Sequence, residues 1–142
     1  MRPIARTSIV APAGAVLLAG CSAAALDGQS IMRPACAPTD APAVELIVPA
    51  SSGEYPQLRV TVWRAEVAGT RVTVPGADGQ NGNAFWCTAD ERCEELTAAT
   101  VAFGRKRADR SMDVVVDARL PDRSRFRKTR RARWQAARML CG

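Results

Sequence analysis

Apolar and polar residues alternate along several short segments of the chain. Single polar residues separate Leu58, Val60 and Val62, and the strand is predicted to continue into Ala65 and Val67. A repeat of two places the apolar side chains on one face of a β-strand and the polar side chains on the other. This segment is therefore the clearest predicted strand, with one buried face.

Other apolar runs predict further strands. Val72 and Val74 alternate with polar residues after Gly69, which predicts a hairpin partner for residues 58–62. Two more runs are expected to pair as a hairpin, namely residues 84–88 and 96–103. The remaining predicted strands cover residues 43–48 and 114–120 and a last segment that starts at Arg125.

These six to seven short strands recur about every ten residues, which is typical of an antiparallel β-sandwich. No convincing helix precedes residue 129. The predicted fold class is therefore all-β, with an immunoglobulin-like or transthyretin-like topology. Residues 125–142 are compatible with a strand or with a short C-terminal helix.

The N-terminal segment has the pattern of an export signal. Residues 1–6 carry two arginines and no acid, residues 8–20 carry no charge, and the apolar run ends in Leu18-Ala19-Gly20-Cys21. The thirteen uncharged residues would span about 20 Å as a helix, which is shorter than the hydrocarbon core of a bilayer. A permanent membrane span is therefore disfavoured.

This segment resembles the signal of the bacterial lipoprotein class, whose lipobox ends in the lipid-bearing cysteine. The resemblance covers about the first 21 residues and implies cleavage before Cys21, followed by acylation of its thiol and its new amine. Ser22 stands where an aspartate would favour inner-membrane retention, so the resemblance implies an outer-membrane anchor that faces the periplasm. The alternative is an ordinary cleaved signal in which Cys21 is incidental.

The composition then predicts how the rest of the chain is divided. Residues 21–42 are rich in Ala, Pro and Ser, and Pro34, Pro38 and Pro42 disfavour a helix or a central strand. We therefore expect a signal peptide at 1–20, a flexible tether at 21–42 and one β-sandwich domain at 43–142.

Four cysteines remain besides Cys21, which favours two disulfides in an exported domain of this size. Three pairings exist. Cys87 and Cys93 flank a polar loop and form the simplest pair, which leaves Cys36 with Cys141 by elimination. Zinc and redox-active pairs are disfavoured because the chain has no CxxC spacing and no histidine. No metal site and no cofactor are expected.

Charge divides the chain into two unequal parts. Residues 21–122 hold 10 basic and 14 acidic groups, a net of −4, whereas residues 123–142 hold 8 basic groups and no acid. An anionic surface or partner is the predicted ligand of this basic segment, and anionic lipid, lipopolysaccharide or another envelope protein would match it. Nucleic acid is disfavoured by the predicted compartment. The predicted contact residues are Arg123, Arg125, Arg127, Lys128, Arg130, Arg131 and Arg133. The alternative is that these arginines only solvate the surface and block strand pairing at an edge.

Composition also bears on the class of function. The chain has no histidine, which is the commonest general base, and its only lysines are Lys106 and Lys128. A non-enzymatic binding or structural role in the cell envelope is therefore predicted, with an envelope enzyme as the less favoured alternative. A second alternative is a peptidoglycan-binding or carbohydrate-binding module. Trp63 is its candidate contact residue, because strand alternation places it opposite Val60 and Val62.

Overall fold

The structure is a computed structural model that describes residues 29–141. Nine β-strands account for its regular secondary structure, and none of these residues lies in a helix. The strands are β1 (Ile31–Cys36), β2 (Pro42–Pro49), β3 (Gln57–Val62), β4 (Arg71–Val74), β5 (Gly82–Ala89), β6 (Arg92–Glu95), β7 (Ala99–Phe103), β8 (Ser111–Arg119) and β9 (Arg125–Trp134). The described part of the chain therefore contains no helix long and apolar enough to cross a membrane.

All nine strands belong to one mixed sheet, in the order β4-β7-β8-β9-β1-β2-β3-β5-β6. Neighbours run antiparallel except β1 and β9, which are parallel. That parallel pair is short and consists of Ile31 opposite Arg133 and Met32 opposite Trp134. The sheet thus has two halves, which meet at a two-residue junction.

The sheet curls into a half-barrel, so that its halves face each other. The rings of Trp86 on β5 and Phe126 on β9 have centroids 5.2 Å apart, although three strands separate β5 from β9 in the sheet. Gly82 on β5 has a φ of 145°, and a Cβ there would lie 2.9 Å from a methyl group of Val74 on β4. This close approach brings the edge strand β4 against the other half of the sheet.

The core fills the concave side. Valines and leucines that alternate along the central strands are fully buried there, including Leu46, Leu58, Val60, Val114 and Val116. Burying each such side chain contributes about 1.5–3 kcal/mol. The all-β prediction is confirmed, whereas the predicted sandwich of six to seven strands is not confirmed, because nine strands form one continuous sheet.

Two of the predicted strand pairings are wrong. β4 pairs with β7 rather than with β3, because the chain leaves the sheet after Val62 and returns where Gly69 and Thr70 bond to the end of β7 and the residue after it. β5 pairs with the short β6 rather than with residues 96–103. Leu96 still bonds to Ala84, and the chain then crosses to the other half of the sheet as β7.

One boundary prediction also needs correction. The predicted tether at 21–42 contains β1, so the ordered sheet begins earlier than residue 43. Pro34 is accepted in β1 because β9 pairs only with Ile31 and Met32, so Pro34 has a neighbouring strand on one side only, as in an edge strand. Of the two alternatives for the C-terminal segment, the strand is found, since β9 runs to Trp134 and residues 135–141 have no regular structure.

The cysteines pair as the sequence predicts. Cys36 and Cys141 have sulfur atoms 1.99 Å apart, and Cys87 and Cys93 have sulfur atoms 2.06 Å apart. The first pair ties the C-terminal segment to β1, and the second joins β5 to β6. The longer bridge therefore lies at the junction between the halves of the sheet.

Candidate functional site

The candidate site is built on β9, whose side chains alternate between two environments. Phe126 and Ala132 are buried against the core, whereas Arg127, Arg131 and Arg133 are exposed on the other face. This alternation follows from the strand pleat and requires only that the apolar residues point inward. The pleat thus separates the cations of this segment into two sets.

Acidic residues of β8 lie beside the outward arginines. Asp113 is opposite Arg131 and Asp117 is opposite Arg127 in the strand register. Asp113 accepts hydrogen bonds from Arg107 and Arg131, while Asp117 accepts two from Arg125, with the Nε to Oδ1 distance at 2.9 Å. Two aspartates therefore neutralise part of the arginine charge.

These contacts change the acidity of both aspartates. The hydrogen bonds from Arg107 and Arg131 lower the pKa of Asp113 below its ordinary value. The hydrogen bonds from Arg125 lower the pKa of Asp117 in the same way. Both carboxylates favour the charged form because a cation hydrogen-bonds to it. They therefore stay ionised at neutral pH and hold the three arginines in place.

More arginines join this surface from other strands. Arg71 on β4 and Arg119 on β8 are exposed on the same side, and Arg107 reaches Asp113 from the loop between β7 and β8. Asp109 lies in that loop, where its hydrogen bonds with Ser111, and then the positive charges of Arg131 and Arg107, lower its pKa. We call this surface the basic face. Three aspartates on it, Asp109, Asp113 and Asp117, oppose the positive charge. Its seven arginines are Arg71, Arg107, Arg119, Arg125, Arg127, Arg131 and Arg133.

Four members of the basic face form no ion pair among residues 29–141, although all four are exposed. They are Arg71, Arg119, Arg127 and Arg133. Their guanidinium groups therefore present donors to solvent, and guanidinium donors match phosphate and carboxylate oxygens.

The structure does not bring all the predicted cations to this face. Lys128 and Arg130 are half-buried on the opposite face of β9, where the Lys128 ammonium lies 5.9 Å from the centre of the Phe126 ring. Arg123 lies in the turn before β9, with a φ of 67°, and its backbone N–H donates to Leu120. Of the seven predicted contact residues, four lie on β9 within the basic face, and Arg123 lies at its edge, where it lines a depression with Asp117, Arg119 and Arg125.

Trp63 does not have the position expected of an exposed platform. It follows the end of β3, is half-buried, and donates its backbone N–H to Asn81. Only Met139 and Leu140 are large apolar residues with high exposure in the described part of the chain. Cys21, the predicted lipidation site, lies outside the described residues.

Sequence reasoning missed Arg71, Arg107 and Arg119. The alternation around Val72 and Val74 already indicates that Arg71 points outward. The pattern contains no signal, however, for β4 lying in the same half of the sheet as β9, whereas β8 and β9 are consecutive strands joined by a short turn. Their union into one surface depends on strand order, which pairs elements distant in the chain.

Comparisons with known proteins found no similar one. No family model matches the chain, and no curated protein or solved structure is significantly similar to it.

Proposed function

We propose that this protein is a lipid-anchored protein of the cell envelope that binds phosphate-bearing lipid surfaces through its basic face, without catalysis. The observation that carries the proposal is the excess of seven arginines over three aspartates on one outward surface. Each arginine near an anionic leaflet contributes about 1 kcal/mol to binding. Arg71, Arg119, Arg127 and Arg133 form no ion pair in the described residues, so their guanidinium groups are available to lipid phosphates.

The point where the chain enters the sheet supports this arrangement. Arg133 donates its backbone N–H to Ser30, so the start of β1 lies beside the basic face. The eight peptide units between Cys21 and Gln29 span at most about 28 Å. A lipid on Cys21 would therefore hold the basic face near the membrane. Anchor and arginines would act together, since stable membrane attachment usually takes two signals.

The disulfides are consistent with the same location. Both cysteine pairs are at bonding distance, and disulfides persist in oxidising compartments such as the bacterial periplasm. The lipobox resemblance, with Ser22 after Cys21, supports a lipid anchor in the outer membrane that faces the periplasm.

The test is vesicle binding by the full chain carrying Cys21→Ser, which removes the thiol that a lipid would occupy. Sedimentation with phosphatidylcholine vesicles is compared with sedimentation with vesicles that also contain phosphatidylglycerol. We expect binding only to the anionic vesicles, and weaker binding at higher salt. A parallel measurement with lipopolysaccharide aggregates distinguishes the two sources of lipid phosphate.

Matched variants locate the contact. Replacing Arg127 and Arg133 by glutamine removes two charges from the basic face and should weaken binding about 30-fold, at about 1 kcal/mol per arginine. Replacing Arg64 and Arg92 by glutamine removes the same charge from exposed positions elsewhere and should change binding little. Equal losses in the two double variants would refute a role for the basic face. Absence of binding to both lipids would refute the proposed ligand.

A further inference from the structure

A second surface lies on the convex side of the other half of the sheet. The outward side chains of β1, β2, β3 and β5 form two adjoining depressions there, with volumes of about 340 and 300 Å³. Arg59 lines both of them. We call this surface the polar groove, and the residues that carry the argument are Arg33, Tyr55, Arg59, Asn83, Asp90 and Gln135.

A buried carboxylate orients the two arginines of the groove. Glu45 on β2 is only 7% exposed, and its Oε2 accepts a hydrogen bond from Arg33 Nε at 2.5 Å. Its Oε1 accepts two from Arg59, at 2.9 Å from Nε and 2.6 Å from Nη2. A guanidinium has five N–H donors, so most donors of both arginines remain available. The geometry leaves oriented donors of the kind that bind a carboxylate.

Hydrogen-bond acceptors occupy the rim opposite these donors. Asp90 and Glu54 line the larger depression, and the Tyr55 hydroxyl lies 3.5 Å from Asp90 Oδ1. Amides of Gln29, Gln57 and Gln135 line it as well, and each amide both donates and accepts. A ligand that fits this lining must carry hydroxyl or amide groups in addition to an anion. A polyanion is disfavoured, because the linings together hold three carboxylates, those of Glu45, Glu54 and Asp90, against two arginines.

The smaller depression adds an apolar ring and a polar atom without a partner. Phe85 and Thr61 line it beside the Cys87–Cys93 bridge. The Oδ1 atom of Asn83 is buried there and accepts no hydrogen bond within residues 29–141. A buried acceptor without a donor costs free energy, so this atom marks a polar site that the fold leaves unsatisfied beside the depression.

We infer that the polar groove is a binding site for an acidic sugar, that is, a carbohydrate unit bearing one carboxylate. The carboxylate binds the free donors of Arg33 and Arg59, and the sugar hydroxyls bond to Asp90 and Gln135. The ring faces of Tyr55 and Phe85 contact the apolar C–H surface of the sugar. This site differs from the Trp63 surface that the sequence indicates, and it is independent of the basic face.

Two sugars that differ by one group test the inference. N-acetylmuramic acid carries a lactyl carboxylate that N-acetylglucosamine lacks. Each is titrated calorimetrically into the full chain. We expect N-acetylmuramic acid to bind at least about tenfold more tightly, because charge-assisted hydrogen bonds are the stronger ones. Equal affinities, or no heat from either sugar at millimolar concentration, would overturn the inference.

Three variants place the sugar in the groove. Arg59→Gln should remove the preference for the carboxylate, since it removes the central guanidinium. Gln135→Ala together with Asp90→Asn alters only side chains at the rim and should weaken both sugars by a similar factor. Arg64→Gln is the matched control and should leave both affinities unchanged. Unaltered binding in the rim variant would place the sugar elsewhere, and this outcome holds even if Arg59→Gln fails to fold. Vesicle binding is measured separately, so failure here leaves the lipid proposal intact.

Discussion

Arginine–carboxylate pairs occur in both halves of the sheet, but in opposite environments. On the polar groove the Glu45 side chain is 10% exposed, and its partners Arg33 and Arg59 are about one-third exposed, at 37% and 32%. On the basic face the Arg125 and Arg131 side chains are 66% and 59% exposed. The same chemistry is thus enclosed on one surface and solvated on the other.

This difference predicts that the two sets of ion pairs contribute unequally to stability. An exposed ion pair contributes about 0–1 kcal/mol, because water competes for both partners. A buried carboxylate cannot be left without its cations, since an uncompensated buried charge is strongly destabilising. The Glu45 pairs should therefore be needed for folding, whereas the basic face can lose a pair with little cost. Excess charge on the basic face is available for a ligand.

The largest effect is expected at the junction of the two halves. There, β1 and β9 pair through two residues each, and the Cys36–Cys141 bridge closes a separation of 105 residues. Replacing both cysteines by serine should lower the free energy of unfolding by about 5 kcal/mol in the loop-entropy model. Urea denaturation of the full chain measures this. Replacing Cys87 and Cys93 instead opens a separation of only 6 residues and should cost about 2 kcal/mol. A larger loss of stability in the Cys87, Cys93 variant than in the Cys36, Cys141 variant would show that the junction does not depend on the longer bridge.

A smaller effect tests the enclosed pair against the solvated one. Glu45→Gln leaves Arg33 and Arg59 without their carboxylate and should lower the free energy of unfolding by about 2–3 kcal/mol. Asp117→Asn removes the partner of Arg125 on the basic face and should cost less than about 1 kcal/mol. Both values come from urea denaturation at neutral pH. Similar costs for the two variants would contradict the contrast in burial.

Acid should remove the contribution of the basic-face ion pairs to stability. Arginine hydrogen bonds lower the folded-state pKa of Asp113 and of Asp117, so their contribution to stability is complete above the unfolded-state pKa of about 3.9. That contribution is lost as the pH falls through the lowered folded-state pKa. Denaturation at pH 7 and at roughly pH 3 should therefore show a smaller stability loss in the Asp113→Asn, Asp117→Asn variant than in the unaltered chain. An identical loss would show that these aspartates do not respond to acid.

The smallest effect is spectroscopic and concerns the rim of the polar groove. Tyr55 is the only tyrosine in the chain, so phenolate absorbance reports it alone. Partial burial, followed by the charges of Asp90 and Glu54, raises the pKa of Tyr55 above its ordinary value of 10.0, and Arg59 opposes this. Titration should give a midpoint above that value, and Asp90→Asn should lower it. An unchanged midpoint in this variant would show that the charge of Asp90 does not affect the ionisation of Tyr55.

Local pattern was enough to predict most strands but not their partners. The alternation at residues 58–62 and 114–120 predicted β3 and β8, since a pleated strand needs only one apolar face. Val72 and Val74 also predicted β4, but its partner β7 lies about thirty residues further along the chain. Strands that are consecutive in the chain do not always pair. The alternation of apolar and polar residues carries no information on which strands hydrogen-bond to each other.

The candidate sites show the same limit. The basic segment was visible as a charge run, and the strand period alone explains why Arg127 and Arg131 point outward while Lys128 and Arg130 do not. The polar groove was not predicted, because Arg33, Glu45 and Arg59 come from three strands and none of them belongs to a motif. Burial of Glu45 depends on neighbours that only the folded sheet supplies.

By itself the sequence determined the all-β class, most strand positions, the cysteine pairs and the concentration of arginine near the C-terminus. These properties depend on side chains that are close together in the chain or on simple counting. Only the tertiary structure decided that nine strands form one curled sheet, that β1 extends it, and that two arginine surfaces of opposite burial result. Strand order and curvature arise from contacts between residues far apart in sequence, which local periodicity cannot specify.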